Sequence, residues 1–237
     1  MTRNVTNLIR FFMDELMPPI LRDNKYLMYP LFMIWYKGKN VNKLMEFKER
    51  FHELSDEEFT HYYEIYDSLP NRETDLAKES VDFIFEELKG LENKSILEVG
   101  CGNGYLLKRL HERGFKNLTG ADILPEVNHD DIKTVSANIE SLPFQDGEYD
   151  VVICNHTLEH VINLDAAVNE VKRVAGYKLL VTVPCQRYNR YTFDLHTNFF
   201  PQKSYFMQAM KWPGARCEKR GGDWSFSGIK KGTGAGK

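Results

Sequence analysis

Apolar positions recur along this chain with two different periods, and the change between them divides it. Through residue 90 the spacing is helical. Asn7 to Met17 is amphipathic and ends at Pro18-Pro19, because proline cannot continue a helix. Val41 to Leu54 sets Leu44, Met45, Phe47 and Phe51 among charged residues. Ser55-Asp-Glu-Glu58 has the form of a capping box, opening a helix that presents Phe59, Tyr62, Tyr63 and Tyr66. Thr74 is expected to cap a helix over Asp75 to Lys89. Ala77, Val81, Ile84, Phe85 and Leu88 share one face of it, and Gly90 ends it.

From Ser95 onward the pattern alternates between strand and helix. Short apolar runs at Ile96 to Val99, Asn117 to Ala121, Thr134 to Ala137, Tyr149 to Cys154 and Tyr177 to Val183 read as strands. Between the last two, Leu164, Ala167, Val168, Val171 and Val174 form a helical stripe expected to close at Gly176. A helix is expected over Pro201 to Trp212. Ala215 to Arg220 and Trp224 to Lys230 then form an antiparallel hairpin through Gly221-Gly222. Gly232 to Lys237 reads as a flexible tail. Alternating strand–helix units imply an α/β fold with a mostly parallel sheet covered by helices on both faces. The expected division is a helical N-terminal segment, residues 1–75, followed by an α/β domain, residues 76–237.

Composition narrows the picture. The chain has 237 residues with 42% hydrophobic content, enough for a sizeable core, and a formal net charge of −3, which offers no global attraction to nucleic acid or an anionic membrane. Residues 201–237 carry eight Lys/Arg against two Asp/Glu, so the charge is uneven, and such a segment is usually a solvated face. Cys101, Cys154, Cys185 and Cys217 are far apart with no CxxC pair, which suits free thiols in a reducing compartment. No signal peptide is read at the N-terminus, since Asp14 and Glu15 interrupt its apolar run. Tyr26 to Tyr36 is too short to span a bilayer. The expectation is a cytoplasmic protein without a membrane span and without a nucleic-acid partner.

The candidate chemistry starts at Ser95-Ile-Leu-Glu-Val-Gly-Cys-Gly-Asn-Gly-Tyr105. Strand, glycine turn and helix in that order make a nucleotide-binding corner, where glycines allow close backbone approach and helix-start amides favour an anion. The spacing is GxGxG and not GxGxxG, and Tyr105 takes the place of a third small residue. The second strand ends in Asp122, 18 residues beyond Gly104, where doubly wound folds place a carboxylate for ribose hydroxyls. Later come Asn138-Ile-Glu-Ser-Leu-Pro-Phe144, Tyr149-Asp-Val-Val-Ile-Cys154 and Asn155-His-Thr-Leu-Glu-His-Val161. In this order the blocks resemble the motifs of class I S-adenosylmethionine (SAM)-dependent methyltransferases of the small-molecule branch.

That resemblance implies a Rossmann-like fold with a seven-stranded, mostly parallel sheet and S-adenosyl-L-methionine as cofactor. It implies that amides around Gly100, Gly102, Asn103 and Gly104 cradle the methionine end, which Glu98 orients. Asp122 would hold the ribose, Ile123 and Ile139 would cover the adenine faces, and Asn138 would accept from the adenine amino group. Asn155 belongs to the same expected set, and Arg72 would reach the methionine carboxylate. Each also has a plain reading as a turn, strand end or core residue.

For a neutral hydroxyl acceptor a general base is needed, and His156 after the fourth strand is the first candidate, with His160 and His196 as alternatives. An acceptor that is already anionic needs a cationic clamp instead, for which Arg187, Arg190 and Lys203 are available. No metal is expected. His156-Thr-Leu-Glu-His160 does match HxxEH, a zinc-peptidase pattern, though inside a longer set of methyltransferase-like blocks. The Pro-Pro-aromatic loop of nucleobase amino-methylating enzymes is absent after the fourth strand. "NRETDL" and "VPCQRYNRYTFDLHTNFF" resemble segments of methyltransferases from bacterial capsule and surface-glycan pathways. This implies O-methylation of a small acceptor, phosphorylated or nucleotide-linked, under an aromatic-rich helical cap. The alternative is a SAM-binding or partner-binding protein without transfer activity.

Overall fold

The structure, a computed structural model, describes residues 11–65, 74–191 and 193–230. Two compact units form. One joins residues 1–72 with 186–199, and the other joins 73–185 with 200–237. Tyr66, Arg72 and the glycine-rich tail lie outside the described residues, as do Asn7 to Arg10.

The first unit is helical. A π-helical turn at Phe12–Leu16 precedes α1 (Pro19–Arg22), α2 (Lys25–Trp35), α3 (Val41–Arg50) and α4 (Asp56–Ile65). The Asn24 side chain caps α2 by accepting from the amides of Tyr26 and Leu27. The capping box at α4 forms as the sequence predicts: Ser55 N donates to Glu58 Oε2 at 2.9 Å, and Glu58 N donates to Ser55 Oγ at 3.3 Å. Phe47 is the hub of the packing between α3 and α4, with ring centres of Phe59 and Tyr62 at 6.0 and 5.0 Å. Phe193 brings the returning segment onto α2, stacking on Trp35 at 4.7 Å.

The second unit opens with α5 (Lys78–Leu88), which starts three residues later than expected. Leu76 and Ala77 are buried in an extended approach, so Thr74 does not cap the helix. Its Oγ1 instead accepts from Leu76 N at 3.1 Å. The sheet comprises β1 (Ile96–Val99), β2 (Leu118–Asp122), β3 (Lys133–Ser136), β4 (Tyr149–Asn155), β5 (Ala175–Pro184), β6 (Arg216–Arg220) and β7 (Asp223–Ile229). Their spatial order is β3-β2-β1-β4-β5-β7-β6. The first five are parallel, while β7 runs antiparallel between β5 and β6. The sheet is therefore mixed and not parallel throughout, because a two-glycine hairpin can only reverse the chain.

Alternate residues of each strand feed opposite cores. Leu97, Val99, Val152, Cys154, Leu179 and Val181 face α7 (Leu164–Val174) and α8 (Lys203–Met210). Ile96, Val151, Ile153 and Leu180 face α5 and α6 (Tyr105–Glu112). That two-sided burial explains why the strands read as continuous apolar runs. Gly176 does not end α7. The helix stops at Val174, and Gly176 lies in β5, where a side chain would meet Gly147 O at 2.8 Å. Ile96 pairs with both Leu118 and Val151, and Val99 with both Ala121 and Cys154, so β1, β2 and β4 end at a common edge. The strand order reverses between β1 and β4, and a crevice opens at such a switch point.

Candidate cofactor site

Beyond Val99 the chain passes through three glycines with positive φ: Gly100 (75°), Gly102 (48°) and Gly104 (73°). Their reasons differ. A Cβ at Gly100 would lie 2.0 Å from Thr157 Oγ1, and one at Gly104 would lie 2.7 Å from a Val127 methyl. A Cβ at Gly102 would meet nothing within 4 Å. Gly100 and Gly104 are thus glycines for packing, and Gly102 stands in open space among the described residues.

Three of the amides expected to face a ligand already have partners within the chain. Gly100 N donates to Ala121 O at 2.7 Å, Gly102 N to Asp122 Oδ2 at 2.8 Å, and Gly104 N to Cys101 O at 2.8 Å. All three are engaged in shaping the turn, so a ligand there would meet bare backbone rather than these donors. Asn103 is exposed, and its Oδ1 accepts from Tyr105 N at 3.0 Å as an Asx turn.

Beneath the turn lies Glu98, buried on β1. Asn155, also buried, donates from Nδ2 to Glu98 Oε1 at 3.5 Å, while Glu98 Oε2 and Asn155 Oδ1 have no hydrogen-bond partner among the described residues. Burial pushes the Glu98 carboxyl up to about 8, opposed by the Asn155 hydrogen bond and reinforced by the Asp122 charge. A buried carboxylate oxygen in this condition fits a cation or a donor arriving from outside the chain.

Asp122 closes the other side. Its Oδ1 accepts from Leu124 N at 3.0 Å and its Oδ2 from Gly102 N, which ties β2 to the glycine turn and leaves lone pairs for further donors. Ile123 is half-buried beside it. Asn138 uses Oδ1 to accept from Glu140 N at 2.9 Å, so any adenine contact shares that oxygen. Ile139 is buried within the core that includes Leu142 and Leu158. Arg72 lies outside the described residues.

After β4 the chain makes a second sharp turn. His156 has φ of 49°, uncommon for a residue with a side chain. Its Nδ1 lies 3.2 Å from Glu159 Oε1 and its Nε2 lies 3.4 Å from Asp223 Oδ2, both carboxylates being fully buried. Burial opposes the charged ring, but contact with Asp223 and Glu159 outweighs it and raises the pKa to about 10. A ring held between two carboxylates in this way is a poor general base, which argues against the first role expected of it. Nor does HxxEH form a zinc-binding helix face. His156 stands outside any helix, and Leu158–His160 is a single 3₁₀ turn.

His196, Arg187 and Arg190 belong to the other unit. His196 Nδ1 lies 2.6 Å from Gln186 Oε1 and 3.4 Å from Asp194 Oδ2. Arg190 pairs with Glu49 through Nε at 2.9 Å and through Nη2 in a half-exposed bridge, so its cation is already matched. Arg187 is exposed, and Lys203 begins α8 on the second unit's surface. Sequence reasoning passed over Ser80, Thr157 and Asp223. An acidic residue directly after a Gly-Gly hairpin is an ordinary turn residue by sequence. Its burial follows only from β7 being an interior strand.

Residues 97–176, from β1 into β5, match the family model of a methyltransferase domain. A sterol 4-C-methyltransferase of Caenorhabditis elegans is 33% identical over 112 residues, covering 41% of this chain and 33% of that protein. A ubiquinone biosynthesis O-methyltransferase of Rickettsia bellii is 33% identical over 120 residues, covering 44% and 49%. The chain thus spans a third to a half of the length of these two relatives. Among solved structures, the magnesium protoporphyrin IX methyltransferase of Synechocystis, with bound SAM, superposes with a TM-score of 0.52 at 15% identity. The superposition covers 75% of this chain and 98% of that one, a likeness of fold.

Proposed function

We propose, from the methyltransferase domain carried by residues 97–176, that this chain is a SAM-dependent methyltransferase acting on a small polar acceptor. The observation that carries the reading is the unpartnered Oε2 of buried Glu98 beneath the bare backbone of Gly102. When bound, SAM supplies a methyl group on a sulfonium, an electrophile that needs only an aligned nucleophile. Glu98 would hold its cationic end. Gly100, Gly102 and Gly104 would give that end room. Asp122 would accept from the ribose hydroxyls, and Ile123 would pack on the base. Asn155 keeps the Glu98 carboxylate in place.

The acceptor reading rests on sequence. The resemblance of "NRETDL" and "VPCQRYNRYTFDLHTNFF" to capsule and surface-glycan methyltransferases favours O-methylation of a nucleotide-activated or phosphoramidate-bearing precursor. For a hydroxyl acceptor the remaining histidine candidate is His196, whose Nδ1 lies 2.6 Å from Gln186 Oε1. Arg187 is the cation that the sequence reading offers to an anionic acceptor. Four cysteines without a disulfide suit a cytoplasmic setting, and no described helix is long and apolar enough to cross a membrane.

Labelled SAM incubated with nucleotide sugars, nucleotide phosphoramidates and quinol precursors tests the proposal. Transfer to a sugar hydroxyl that His196→Ala abolishes supports it in full. Transfer to a quinol alone replaces the acceptor class. SAM binding without transfer to any member favours the binding-protein alternative.

A further inference from the structure

Three completely buried polar side chains meet the partly buried His156 ring behind the glycine turn, from four separate parts of the second unit. His156 follows β4, Glu159 sits in the 3₁₀ turn, Asp223 begins β7, and Ser80 comes from α5. Ser80 Oγ donates to Asp223 Oδ2 at 3.0 Å, and Asp223 and Glu159 flank the His156 ring at 3.4 and 3.2 Å. Ser80, Glu159 and Asp223 are completely buried.

Such a cluster is an inefficient way to stabilise a fold, because desolvation offsets most of the Coulomb energy of buried ions. What it does fix is direction. His156 occupies a left-handed backbone conformation that its side chain disfavours, and strain of this kind persists where the surroundings over-determine it. Its two chain neighbours face the glycine turn. Asn155 Nδ2 donates to Glu98 Oε1, and Thr157 Oγ1 lies 3.3 Å from Val99 O and occupies the space a Gly100 side chain would need.

We infer that Glu159, His156 and Asp223, steadied by Ser80, form a buried clamp whose imidazolium pins the Asn155–Thr157 turn and thereby holds Glu98 and Gly100 in their cofactor-binding positions. His156 is in this view a positioning residue and not a base. Asp223, which opens the interior strand β7, is its partner. Where the clamp is said to serve SAM, it rests on the cofactor reading above.

The test uses the full chain with three changes: Glu159→Gln together with Asp223→Asn, and separately His156→Asn, since asparagine tolerates positive φ. Hydrogen exchange is read at residues 99–104 and 155–157, SAM affinity by calorimetry, and His156 charge from its ring ¹⁵N shifts at pH 8. The clamp predicts an imidazolium signature in the wild type. It also predicts at least tenfold faster exchange in both turns of each variant, with the rest of the sheet unchanged, and at least tenfold weaker SAM binding. Wild-type exchange in a folded variant, or a neutral ring in the wild type, overturns it. If a variant fails to fold, Ser80→Ala gives a milder version of the same loss. Failure of the wild type to bind SAM while the turns still loosen in the variants would refute the cofactor reading and leave the clamp standing.

Discussion

Glu98 shows how much one side chain can carry when its surroundings are right. With its carboxyl at about 8, it is largely protonated in the ligand-free protein near neutrality. A cation against Oε2 favours the ionised form, so binding releases a proton. SAM affinity should therefore rise as pH increases from about 6 to 8 and level off above, a slope that Glu98→Gln removes. Calorimetry in buffers of different ionisation enthalpy counts that proton directly. The glycines give a second contrast. Gly100→Ala meets Thr157 and should cost about 2–4 kcal/mol in stability, seen as a lower melting temperature. Gly102→Ala meets nothing within 4 Å among the described residues and should cost only about 1 kcal/mol of folding, for its positive φ, while sharply weakening SAM binding.

At the level of elements, helix starts separate what sequence conveys from what it does not. Ser55→Ala removes a formed capping box and should lower stability by about 1 kcal/mol, whereas Thr74→Ala should cost less than about 0.5 kcal/mol because Thr74 caps no helix. Both residues look alike in the sequence. They differ because Leu76 and Ala77 find burial next to Gly221, a partner some 140 residues away that no local pattern reveals. The five parallel strands were legible for the opposite reason, since two-sided burial writes itself into consecutive apolar residues. Glu98, the glycine turn and Asp122 were legible because their spacing reflects one continuous strand–turn–helix–strand unit. The partners of His156 were not, because Asp223 reaches it only through the strand order. His156 at the end of β4 read as a base because the two carboxylates that hold its proton were invisible.

For the molecule as a whole, the buried charges leave a pH signature. His156 has its pKa raised from 6.5 to about 10 on folding. Its contribution is fully present below 6.5 and lost as pH rises through 10. The raised carboxyl of Glu98 acts with the same sign from about 4.5 to 8. The melting temperature of the ligand-free protein should accordingly fall from pH 6.5 to 10. The fall should be shallower in His156→Asn, as scanning calorimetry across that range would show.

The position of β7 reaches beyond equilibrium. It follows β6 in the chain yet lies inside it, hydrogen-bonded to β5 on one side and β6 on the other. During synthesis the parallel strands can assemble as they emerge, but the slot beside β5 stays open until Asp223–Ile229 has left the ribosome. Until then β5 presents an unpaired edge, and the clamp lacks one carboxylate. A nascent chain stalled before residue 223 should thus display a nearly complete sheet with an unfinished cofactor turn. Competence to bind ligand would arrive in a single late step, when the last strand slides into place.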